Sequence, residues 1–549
     1  MAKTDELTAL RMRIDEIDDQ LCDLFAARMA LARQIATYKR EQGLPVQHPG
    51  REQAVLNRLC ARCDTVLTPH LKALYQTIFA VSRRYQEQLL AAAEAEPGKS
   101  GIVHAGSAAE TEVNVVAAGE PVFGLLGETL THSFSPRIHQ LLGGYAYSLF
   151  ALPPQQLGDF LTNRSFDGLN VTMPYKQMVI PYCDALSPAA RRTGSVNTLL
   201  RRRDGKLYGD NTDYGGFSRL LEKSGVCLRR KKVLLLGGNG GAGHTVAAVA
   251  EDQGAAQVIL VSRSGPVDYE NVYRLHADAE VVINATPCGM YPQNAAQPID
   301  LRHLPQCHAV LDLIYNPLRT RLVQQAQELG MITAGGLLML VEQARLAAGL
   351  FLGRDLPLQR TQQVLAQLLA EMENIVLIGM PGAGKTSVGT ALAEMLGRPF
   401  LDLDEEIRTE SGRSPAQWIT TYGEERFRGL EIAAAQALGK RQGLVIAAGG
   451  GTVLCKESMS ALRQNGCVLY LSRALESLAT AGRPLSQQGT ALQQLQQERL
   501  PLYLQAARRT INNDTTIQAA AAAAAVAFQE VLHEDTGNQR TESEPAGLA

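Results

Sequence analysis

Five positions in the carboxyl-terminal third of the chain could hold the phosphates of a nucleotide. Gly379, Gly384, Lys385 and Thr386 match the spacing Gly-x-x-x-x-Gly-Lys-Thr, and Gly382 lies between them. Glycines let backbone N–H groups turn toward phosphates, a lysine adds a positive charge, and a threonine hydroxyl can hold Mg²⁺. Because the whole pattern is present, it predicts a nucleoside triphosphate site rather than a glycine-rich turn that binds nothing.

A second glycine run, residues 237–243, could hold a dinucleotide. It follows the apolar run 233–236 and opens a helical pattern. Strand, glycine turn and helix N-terminus together bind a pyrophosphate through N–H groups and the helix dipole. The next strand pattern, 257–261, ends beside Arg263, and an arginine there fits the 2′-phosphate of NADP. The predicted cofactor contacts of the turn are Gly238, Gly240, Gly241 and Ala242.

Short apolar runs in the sequence predict strands, and two segments have a composition that is typical of flexible chain. Residues 375–378 predict a buried strand directly before the first loop, and residues 122–126 predict another. Between 121 and 372, strand patterns alternate with helical ones, which is typical of α/β lobes with a parallel sheet. Residues 91–120 are rich in alanine, glutamate, glycine and serine, which predicts a flexible linker, and residues 534–549 predict a disordered tail.

The amino-terminal segment carries cations within an apolar stripe. Leucines and isoleucines recur at three- and four-residue spacing over residues 7–38, which predicts one long amphipathic helix. Arg28 falls in the middle of the stripe, Lys39 close to it and Arg11 near its edge. Such cations usually bind an anion, because a buried unpaired charge is costly. The alternative is that Arg28 and Lys39 turn outward or pair with internal carboxylates.

The composition indicates a multidomain protein that acts on small molecules. With 549 residues the chain is too long for one core and predicts roughly three or four domains. The formal net charge of −2 favours neither nucleic acid nor an anionic membrane. Residues 519–528 form the longest apolar run, which is alanine-rich and too short to span a bilayer. We therefore expect a cytoplasmic protein with no nucleic-acid or membrane partner.

The first domain, residues 1–90, resembles the all-helical chorismate mutases. The shared positions, on three successive predicted helices, are Leu10-Arg11, Ala27-Arg28, Tyr38-Lys39, Arg51-Glu52 and Ser82-x-x-x-Gln86. The resemblance implies a homodimer that rearranges chorismate to prephenate by fixing its conformation and stabilising charge on the ether oxygen. It implies catalytic roles for Arg28, Lys39 and Gln86. The implied substrate contacts are Arg11, Arg51, Glu52 and Ser82. A non-catalytic dimerisation or metabolite-sensing module is the alternative.

Residues 121–372 resemble shikimate dehydrogenases over nearly their whole length. The motifs are Ser133-x-Ser135-Pro136, Asn170-Val171-Thr172-x-Pro174-x-Lys176, Ser195-Val196-Asn197-Thr198, Gly209-Asp210-Asn211-Thr212-Asp213, Asn284-Ala285-Thr286 and Gln343. The resemblance implies NADP-dependent interconversion of 3-dehydroshikimate and shikimate, with Lys176 as proton shuttle and Asp213 as its partner. Thr286 joins the implied cofactor contacts. The implied substrate contacts are Ser133, Ser135, Asn170, Thr172, Asn197, Tyr315 and Gln343.

This dehydrogenase is predicted to have two lobes. Residues 121–221 and 337–372 form the substrate lobe, and residues 222–336 form a Rossmann lobe for NADP. The stretch 263–284 is short, so we predict that the Rossmann lobe lacks one helix-and-strand unit.

Residues 373–533 resemble shikimate kinase. The motifs after the phosphate loop are Asp402-Leu403-Asp404, Phe427-Arg428-x-x-Glu431, Gly449-Gly450-Gly451, Arg483-Pro484-Leu485 and Arg499-x-Pro501-Leu502-Tyr503. The resemblance implies that ATP phosphorylates shikimate, with Asp404 as base or orienter of the accepting hydroxyl. Asp402 with Thr386 would hold Mg²⁺, and Arg483 would reach over the phosphates. The implied substrate contacts are Arg428, Gly450, Gly451 and Arg499. A gluconate-type sugar kinase is the alternative.

Together these patterns predict a multidomain fusion. An all-α chorismate-mutase-like domain is followed by a two-lobed α/β dehydrogenase with a Rossmann NADP lobe, and then by an α/β P-loop kinase. The expected substrates are chorismate, shikimate and 3-dehydroshikimate. The alternative for the whole chain is a bifunctional dehydrogenase and kinase with a non-catalytic helical domain.

Overall fold

The computed structural model describes residues 121–130, 133–478 and 489–536. Within the first 120 residues it describes 49–60 and nine single positions, among them Arg28 and Ser82. The chain divides into two compact units, Met1–Asn114 and Val115–Ala549. None of the helices in these described parts is long and apolar enough to cross a membrane.

The amino-terminal unit contains the helix α1 (Pro49–Cys60). Arg28 and Leu31 are also helical, as the predicted helix over residues 7–38 requires, and the other residues of that helix lie outside the described residues. The predicted linker at 91–120 lies outside them too.

The first sheet of the second unit has six strands in the order β2-β1-β3-β5-β6-β4. Its strands are β1 (Phe123–Gly127), β2 (Tyr147–Ala151), β3 (Gly168–Val171), β4 (Ala185–Leu186), β5 (Thr198–Arg201) and β6 (Leu207–Asp210). The prediction of a parallel sheet is wrong at β5, which pairs antiparallel with both β3 and β6. The physical reason is the turn at Asp204-Gly205, where Gly205 adopts φ +77° and joins β5 to β6 as a hairpin.

Four helices pack on this sheet. They are α2 (Ser135–Gly143), α3 (Pro154–Asn163), α4 (Pro188–Thr193) and α5 (Thr212–Ser224). Fully buried Leu126, Leu169 and Leu199 lie at the centre of the core between sheet and helices.

The second sheet is wholly parallel, in the order β11-β10-β9-β7-β8. Its elements are β7 (Lys232–Leu236), α6 (Gly241–Asp252), β8 (Gln257–Val261), α7 (Val272–His276), β9 (Val281–Asn284), β10 (Ala309–Asp312), α8 (Arg321–Glu328) and β11 (Ile332–Gly335). Between β8 and β9 the chain has only the five-residue helix α7. This agrees with the predicted shortening of the Rossmann lobe. Helices α9 (Leu337–Leu352) and α10 (Leu358–Met372) then return toward the first sheet.

The third sheet is also parallel, in the order β13-β14-β12-β15-β16. Its strands are β12 (Asn374–Ile378), β13 (Phe400–Asp402), β14 (Val445–Ala447), β15 (Gly466–Ser472) and β16 (Arg509–Asn512). Its helices are α11 (Lys385–Leu396), α12 (Leu403–Ser411), α13 (Pro415–Tyr422), α14 (Glu424–Lys440), α15 (Lys456–Gln464), α16 (Gly489–Ala506) and α17 (Ile517–Thr536). All five residues of β12 are buried, as the apolar run before the phosphate loop predicts.

The predicted start of the disordered tail, residue 534, is three residues too early. Helix α17 continues to Thr536, because Glu534 forms an ion pair with Arg509 and Asp535 forms one with Arg508. The rest of the tail lies outside the described residues.

The dehydrogenase and kinase segments share a hydrophobic core. Ile138 and Val341 from the first segment lie in one buried cluster with Leu377 and Phe528 from the second. A single residue, Glu373, separates α10 from β12. The two segments therefore pack against each other directly.

Candidate active sites

The first site is built around an ion pair between Lys176 and Asp213. The Lys176 Nζ donates to Asp213 Oδ2 at 2.6 Å, and the two side chains are 16% and 9% exposed. Lys176 follows β3 in a turn whose neighbouring residue, Tyr175, is fully buried. Asp213 lies in the first turn of α5, where a carboxylate interacts favourably with the helix dipole. The fold thus brings together the two residues that were predicted to handle a proton.

Three carboxamides lie near this pair in a buried polar network. The Asn197 Nδ2 donates to Gln343 Oε1 at 3.3 Å, and the Asn170 Nδ2 donates to Thr198 Oγ1 at 3.3 Å. Asn170, Asn197 and Gln343 are 4%, 2% and 8% exposed. They come from β3, from the start of β5 and from α9, so only the folded chain brings them together.

The remaining predicted substrate contacts follow β1, β3 and β10, beyond the carboxyl ends of these strands. Ser135 begins α2, and its backbone N–H is bound by the Ser133 Oγ at 3.2 Å. The Thr172 methyl group packs so close to Gly127 that a Cβ there would lie 2.6 Å from it. Tyr315 packs edge-on against Phe134, and burial raises the pKa of its hydroxyl.

The glycine turn of the Rossmann lobe lies against the proton-handling pair. Gly237 has φ +80°, and the helix α6 begins at Gly241 with no side-chain cap on its first N–H groups. A Cβ on Gly241 would lie 3.1 Å from Lys176 Cβ and 3.0 Å from Ser195 Oγ, whereas one on Gly240 would meet open space. Ala242 follows in the first turn of α6. The uncapped helix start and the open space at Gly240 fit the phosphates of NADP.

Thr286 and Arg263 flank this turn. The Thr286 Oγ1 donates to Asn284 Oδ1 at 2.6 Å, and a Cβ on Gly237 would lie 2.6 Å from the Thr286 methyl group. A Cβ on Gly238 would lie 2.6 Å from the Leu260 side chain of the next strand. Arg263 is exposed just beyond β8. An exposed arginine just past this strand end suits a 2′-phosphate.

The second site is the phosphate loop between β12 and α11. Gly382 and Gly384 adopt φ +87° and +88°, a conformation that favours glycine, and Gly379 has φ +152°. The Lys385 Nζ donates to the carbonyls of Gly379 and Met380 at 2.9 and 3.1 Å, so the ammonium group contacts the start of the loop.

Two oxygen groups at the loop suit Mg²⁺. The Thr386 Oγ1 donates to Asp402 Oδ2 at 2.7 Å, and the other carboxylate oxygen of Asp402 caps α12 by accepting from the Asp404 N–H. A hydroxyl and a carboxylate are ligands that Mg²⁺ prefers. Asp402 is thus both the cap of α12 and the hydrogen-bond partner of Thr386.

Residues 449–451 bring the other predicted kinase residues together. A Cβ on Gly449 would lie 2.7 Å from Asp404 Oδ1, and a Cβ on Gly451 would lie 3.2 Å from Arg428 Nη2. Arg499 is 8% exposed and its Nη1 donates to the Gly450 carbonyl at 2.9 Å. The Arg499 Nε is buried without a hydrogen-bond partner among the described residues. Arg483 lies outside the described residues.

The third predicted site lies mostly outside the described residues. Arg11, Lys39 and Gln86 are outside them, and the side chains of Arg51 and Glu52 in α1 are not described. Ser82 is 6% exposed, and Arg28 lies 5.8 Å from the centroid of the Phe79 ring. The Arg28 Nη1 is buried with no hydrogen-bond partner among the described residues. A buried guanidinium of this kind suits an anionic ligand.

Several site residues were not predicted. Glu431, 2% exposed, receives the Arg428 Nη1 at 2.7 Å and the Thr452 hydroxyl at 2.8 Å. The Arg428-x-x-Glu431 spacing on a helix could have indicated this pair. The Tyr503 hydroxyl donates to Gly450 O at 2.6 Å, and the Tyr147 hydroxyl donates to Asn170 Oδ1 at 2.8 Å. Tyr503 lies in the Arg499-x-Pro501-Leu502-Tyr503 motif but was given no role. No local signal marks Tyr147, because its partner Asn170 is remote in the sequence.

The fold and sites define a class of protein. A two-lobed α/β dehydrogenase, with a Lys–Asp pair against a dinucleotide-type glycine turn, is joined to a P-loop phosphotransferase. Comparison with known proteins gives the family of each part. Family models match for "Chorismate mutase type II" over residues 10–87, "Shikimate dehydrogenase substrate binding domain" over 125–199 and "Shikimate kinase" over 381–531.

Characterised relatives match the central segment. A "Shikimate dehydrogenase (NADP(+))" of Clostridium beijerinckii is 37% identical over 242 residues, covering 40% of this chain and 88% of the relative. One from Methanopyrus kandleri is 33% identical, covering 46% of this chain and 98% of the relative. A solved "chorismate mutase/shikimate 5-dehydrogenase fusion protein" from Clostridium acetobutylicum is 32% identical, covers 45% of this chain and 97% of that chain, and has a TM-score of 0.42.

The chain belongs to the shikimate dehydrogenase (NADP(+)) family. It also carries a chorismate mutase domain before the dehydrogenase and a shikimate kinase domain after it. The predicted trifunctional organisation is confirmed at the level of its domains.

Proposed function

We propose that this chain catalyses three reactions of the shikimate pathway. These are the NADP-dependent interconversion of 3-dehydroshikimate and shikimate, the ATP-dependent phosphorylation of shikimate to shikimate 3-phosphate, and the rearrangement of chorismate to prephenate. The observation that carries the proposal is the contact of the Lys176–Asp213 pair with the glycine turn at Gly241. Acid–base and cofactor groups must meet in this way for oxidation of an alcohol.

In the dehydrogenase, Lys176 gives a proton to the substrate oxygen during reduction and takes it back during oxidation. Asp213 accepts a hydrogen bond from the lysine Nζ and holds it in position. Gly238, Gly240, Gly241, Ala242 and Thr286 would hold NADP with Arg263, and NADP supplies or accepts the hydride when bound.

Lys176→Met tests this assignment. We expect the rate of shikimate oxidation to fall by a factor of about 10² to 10⁴, because a general acid–base group is lost. Lys206→Met, which changes an exposed lysine of the same lobe, serves as control. Shikimate phosphorylation by the same chain reports that the protein is folded. Retention of full oxidation by Lys176→Met would contradict the assignment.

In the kinase, Asp404 orients the accepting hydroxyl and accepts its proton, while Arg428 and Arg499 bind the substrate carboxylate. Gly450 and Gly451 allow the substrate to approach the backbone, and Arg483 covers the phosphates. Thr386 and Asp402 would hold Mg²⁺, which neutralises phosphate charge when bound. Asp404→Asn should abolish phosphorylation and leave shikimate oxidation intact. Glu405→Gln, a change of the neighbouring exposed carboxylate, should alter neither activity.

In the helical domain, the buried and unpartnered Nη1 of Arg28 supports binding of a dicarboxylate. Lys39 and Gln86 face the ether oxygen of chorismate, and Arg11, Arg51, Glu52 and Ser82 complete the site. Chorismate loss, with prephenate formation, should disappear in Arg28→Ala and persist in the exposed control Arg58→Ala. Absence of turnover in the unmodified chain would leave a dimerisation or sensing role for this domain.

The proposed assembly is a cytoplasmic homodimer formed through residues 1–90, without nucleic-acid or membrane partners. Two protomers are required if each helical site takes Arg11 from the partner chain. Sedimentation analysis of the full chain should give twice the 59.4 kDa mass of one chain. A monomer that still rearranges chorismate would contradict the proposed dimer.

A further inference from the structure

The three carboxamides of the dehydrogenase site belong to one continuous hydrogen-bond network. Its other members are three hydroxyl groups to which no role has been assigned: Tyr147, Thr198 and Thr212. Thr198 is fully buried and Thr212 is 5% exposed. Because the interior of a folded protein offers little water, each polar atom there must find a protein or ligand partner.

Two backbone groups fix the orientation of Asn197 and Gln343, and the first is the N–H of Thr212. The N–H of Thr212 donates to Asn197 Oδ1 at 2.7 Å, and a backbone N–H can only donate. The Asn197 oxygen is thereby identified, and it also accepts from the hydroxyls of Thr198 and Thr212 at 3.0 and 3.1 Å. The Asn197 amino group therefore points the other way.

The same logic extends to Gln343. The Asn197 Nδ2 lies 3.3 Å from Gln343 Oε1, and the Gln343 Nε2 donates to the carbonyl of Leu340 at 2.8 Å. A carbonyl oxygen can only accept, so the orientation of the Gln343 amide is also determined. Both Asn197 and Gln343 use their oxygens within the protein.

The hydroxyl groups of Thr198 and Tyr147 fix the orientation of the Asn170 amide. Since Thr198 donates its one hydroxyl proton within the network, it accepts from Asn170, whose Nδ2 lies 3.3 Å away. The Asn170 oxygen then faces Tyr147, whose hydroxyl donates to it at 2.8 Å. The Tyr147 ring is stacked on His139 with 4.0 Å between centroids, which fixes the phenol in place.

Each carboxamide has two N–H groups, and the protein uses one of each. Asn170 gives one to Thr198, Asn197 gives one to Gln343, and Gln343 gives one to Leu340. Among the described residues, no hydrogen bond of the second N–H of these amides is found, whereas each oxygen accepts at least one hydrogen bond. The network therefore leaves one N–H of each amide available to donate to a ligand.

We infer that Tyr147 and Thr198 are positioning residues that lock Asn170, Asn197 and Gln343 with their amino groups toward the substrate. These amino groups then donate hydrogen bonds to oxygen atoms of a carboxylate, carbonyl or hydroxyl of the substrate. The inference rests on the proposed function, since it concerns the dehydrogenase substrate. It adds that the amides present hydrogen-bond donors to the substrate, and that Tyr147 and Thr198 fix this orientation.

Two substitutions test the inference in the full-length chain. Tyr147→Phe removes the hydroxyl that holds the Asn170 oxygen and frees this amide to rotate. Steady-state oxidation should show a KM for shikimate raised about tenfold with kcat within about twofold, because binding in ground and transition states is weakened alike. Tyr145→Phe, whose hydroxyl bonds His139 instead of an amide, is the matched control and should leave KM unchanged.

Asn170→Asp tests the polarity itself. The aspartate keeps an acceptor for Tyr147 and replaces the amino group by a second acceptor. We expect KM for shikimate to rise by more than about a hundredfold, because an acceptor would then face the substrate oxygen. If Asn170 instead accepted a hydrogen bond from a substrate hydroxyl, Asn170→Asp would keep or improve the KM.

The outcomes separate this inference from the proposed function. Equal KM values for Tyr147→Phe and Tyr145→Phe, or an unchanged KM in Asn170→Asp, would overturn the inference alone. Absence of shikimate oxidation in the unmodified chain would overturn both. Should Tyr147→Phe fail to fold, as judged by lost kinase activity, Thr198→Val removes the other positioning hydroxyl and carries the same expectation.

Discussion

The junction between dehydrogenase and kinase is held by a buried ion pair whose removal should destabilise both enzymes. Arg319 precedes α8, and its Nη2 contacts Glu373, the single residue between α10 and β12. The Arg319 and Glu373 side chains are 14% and 0% exposed. The same Nη2 lies 3.6 Å from Asp535 in α17. Burial lowers the pKa of Arg319, but attraction to Glu373 and Asp535 outweighs it and holds the pKa above its ordinary value.

The magnitude follows from what each substitution leaves behind. Arg319→Met leaves a wholly buried carboxylate, one of whose oxygens already lacks a partner among the described residues. Leaving one partner of a buried pair uncompensated costs about 3 to 5 kcal/mol. In Arg319→Met/Glu373→Met no charge remains unpaired, so the double variant should lie within about 1 to 2 kcal/mol of the unmodified chain.

Urea unfolding with two probes measures this effect. Trp418 is the only tryptophan of the chain and lies in α13, so its fluorescence reports the kinase. Shikimate oxidation reports the dehydrogenase. In Arg319→Met the urea midpoints reported by the two probes should fall together, because the two enzymes share one core.

The control is Arg302→Met, which removes an arginine of an exposed ion pair. It should change neither urea midpoint. A shift in Arg319→Met as small as that of this control would refute the reasoning. A double variant as unstable as the single one would refute it too, because the loss would then not arise from the unpaired carboxylate.

Three further predictions concern single residues. Gly450→Ala should raise the kinase KM for shikimate, because the new Cβ would lie 2.6 Å from Pro381, whereas Gly429→Ala, with open space around its Cβ, should not change it. Thr386→Val should raise the Mg²⁺ concentration needed for half-maximal phosphorylation, because it removes the hydroxyl paired with Asp402. Burial raises the pKa of Asp312 from 3.8 to about 6, so the folded state binds this proton more tightly than the unfolded state. Asp312 therefore contributes a loss of stability as pH rises from about 4 to about 6, and Asp312→Asn, followed by urea midpoints across this range, should remove up to about 3 kcal/mol of this contribution.

The chemistry of each site could be predicted where residues close in the sequence act together. The phosphate loop is a local pattern, since the glycines that turn the backbone and the lysine that follows them lie within one strand-to-helix connection. The buried strand β12 was likewise predicted from neighbouring residues. The resemblance of the motifs to known families supplied the identity of the substrates, which no local pattern contains.

Tertiary structure alone decided which remote groups meet and how they are oriented. Asn197 and Gln343 are 146 residues apart, and Arg319 and Glu373 are 54 apart, so no sequence window contains either pair. The antiparallel direction of β5 was missed because strand and helix patterns carry no strand direction. The orientation of the carboxamides depends on hydroxyl groups and a backbone N–H that the fold brings into contact. An amide presents a donor at one end and an acceptor at the other, and only its buried neighbours decide which end faces the substrate.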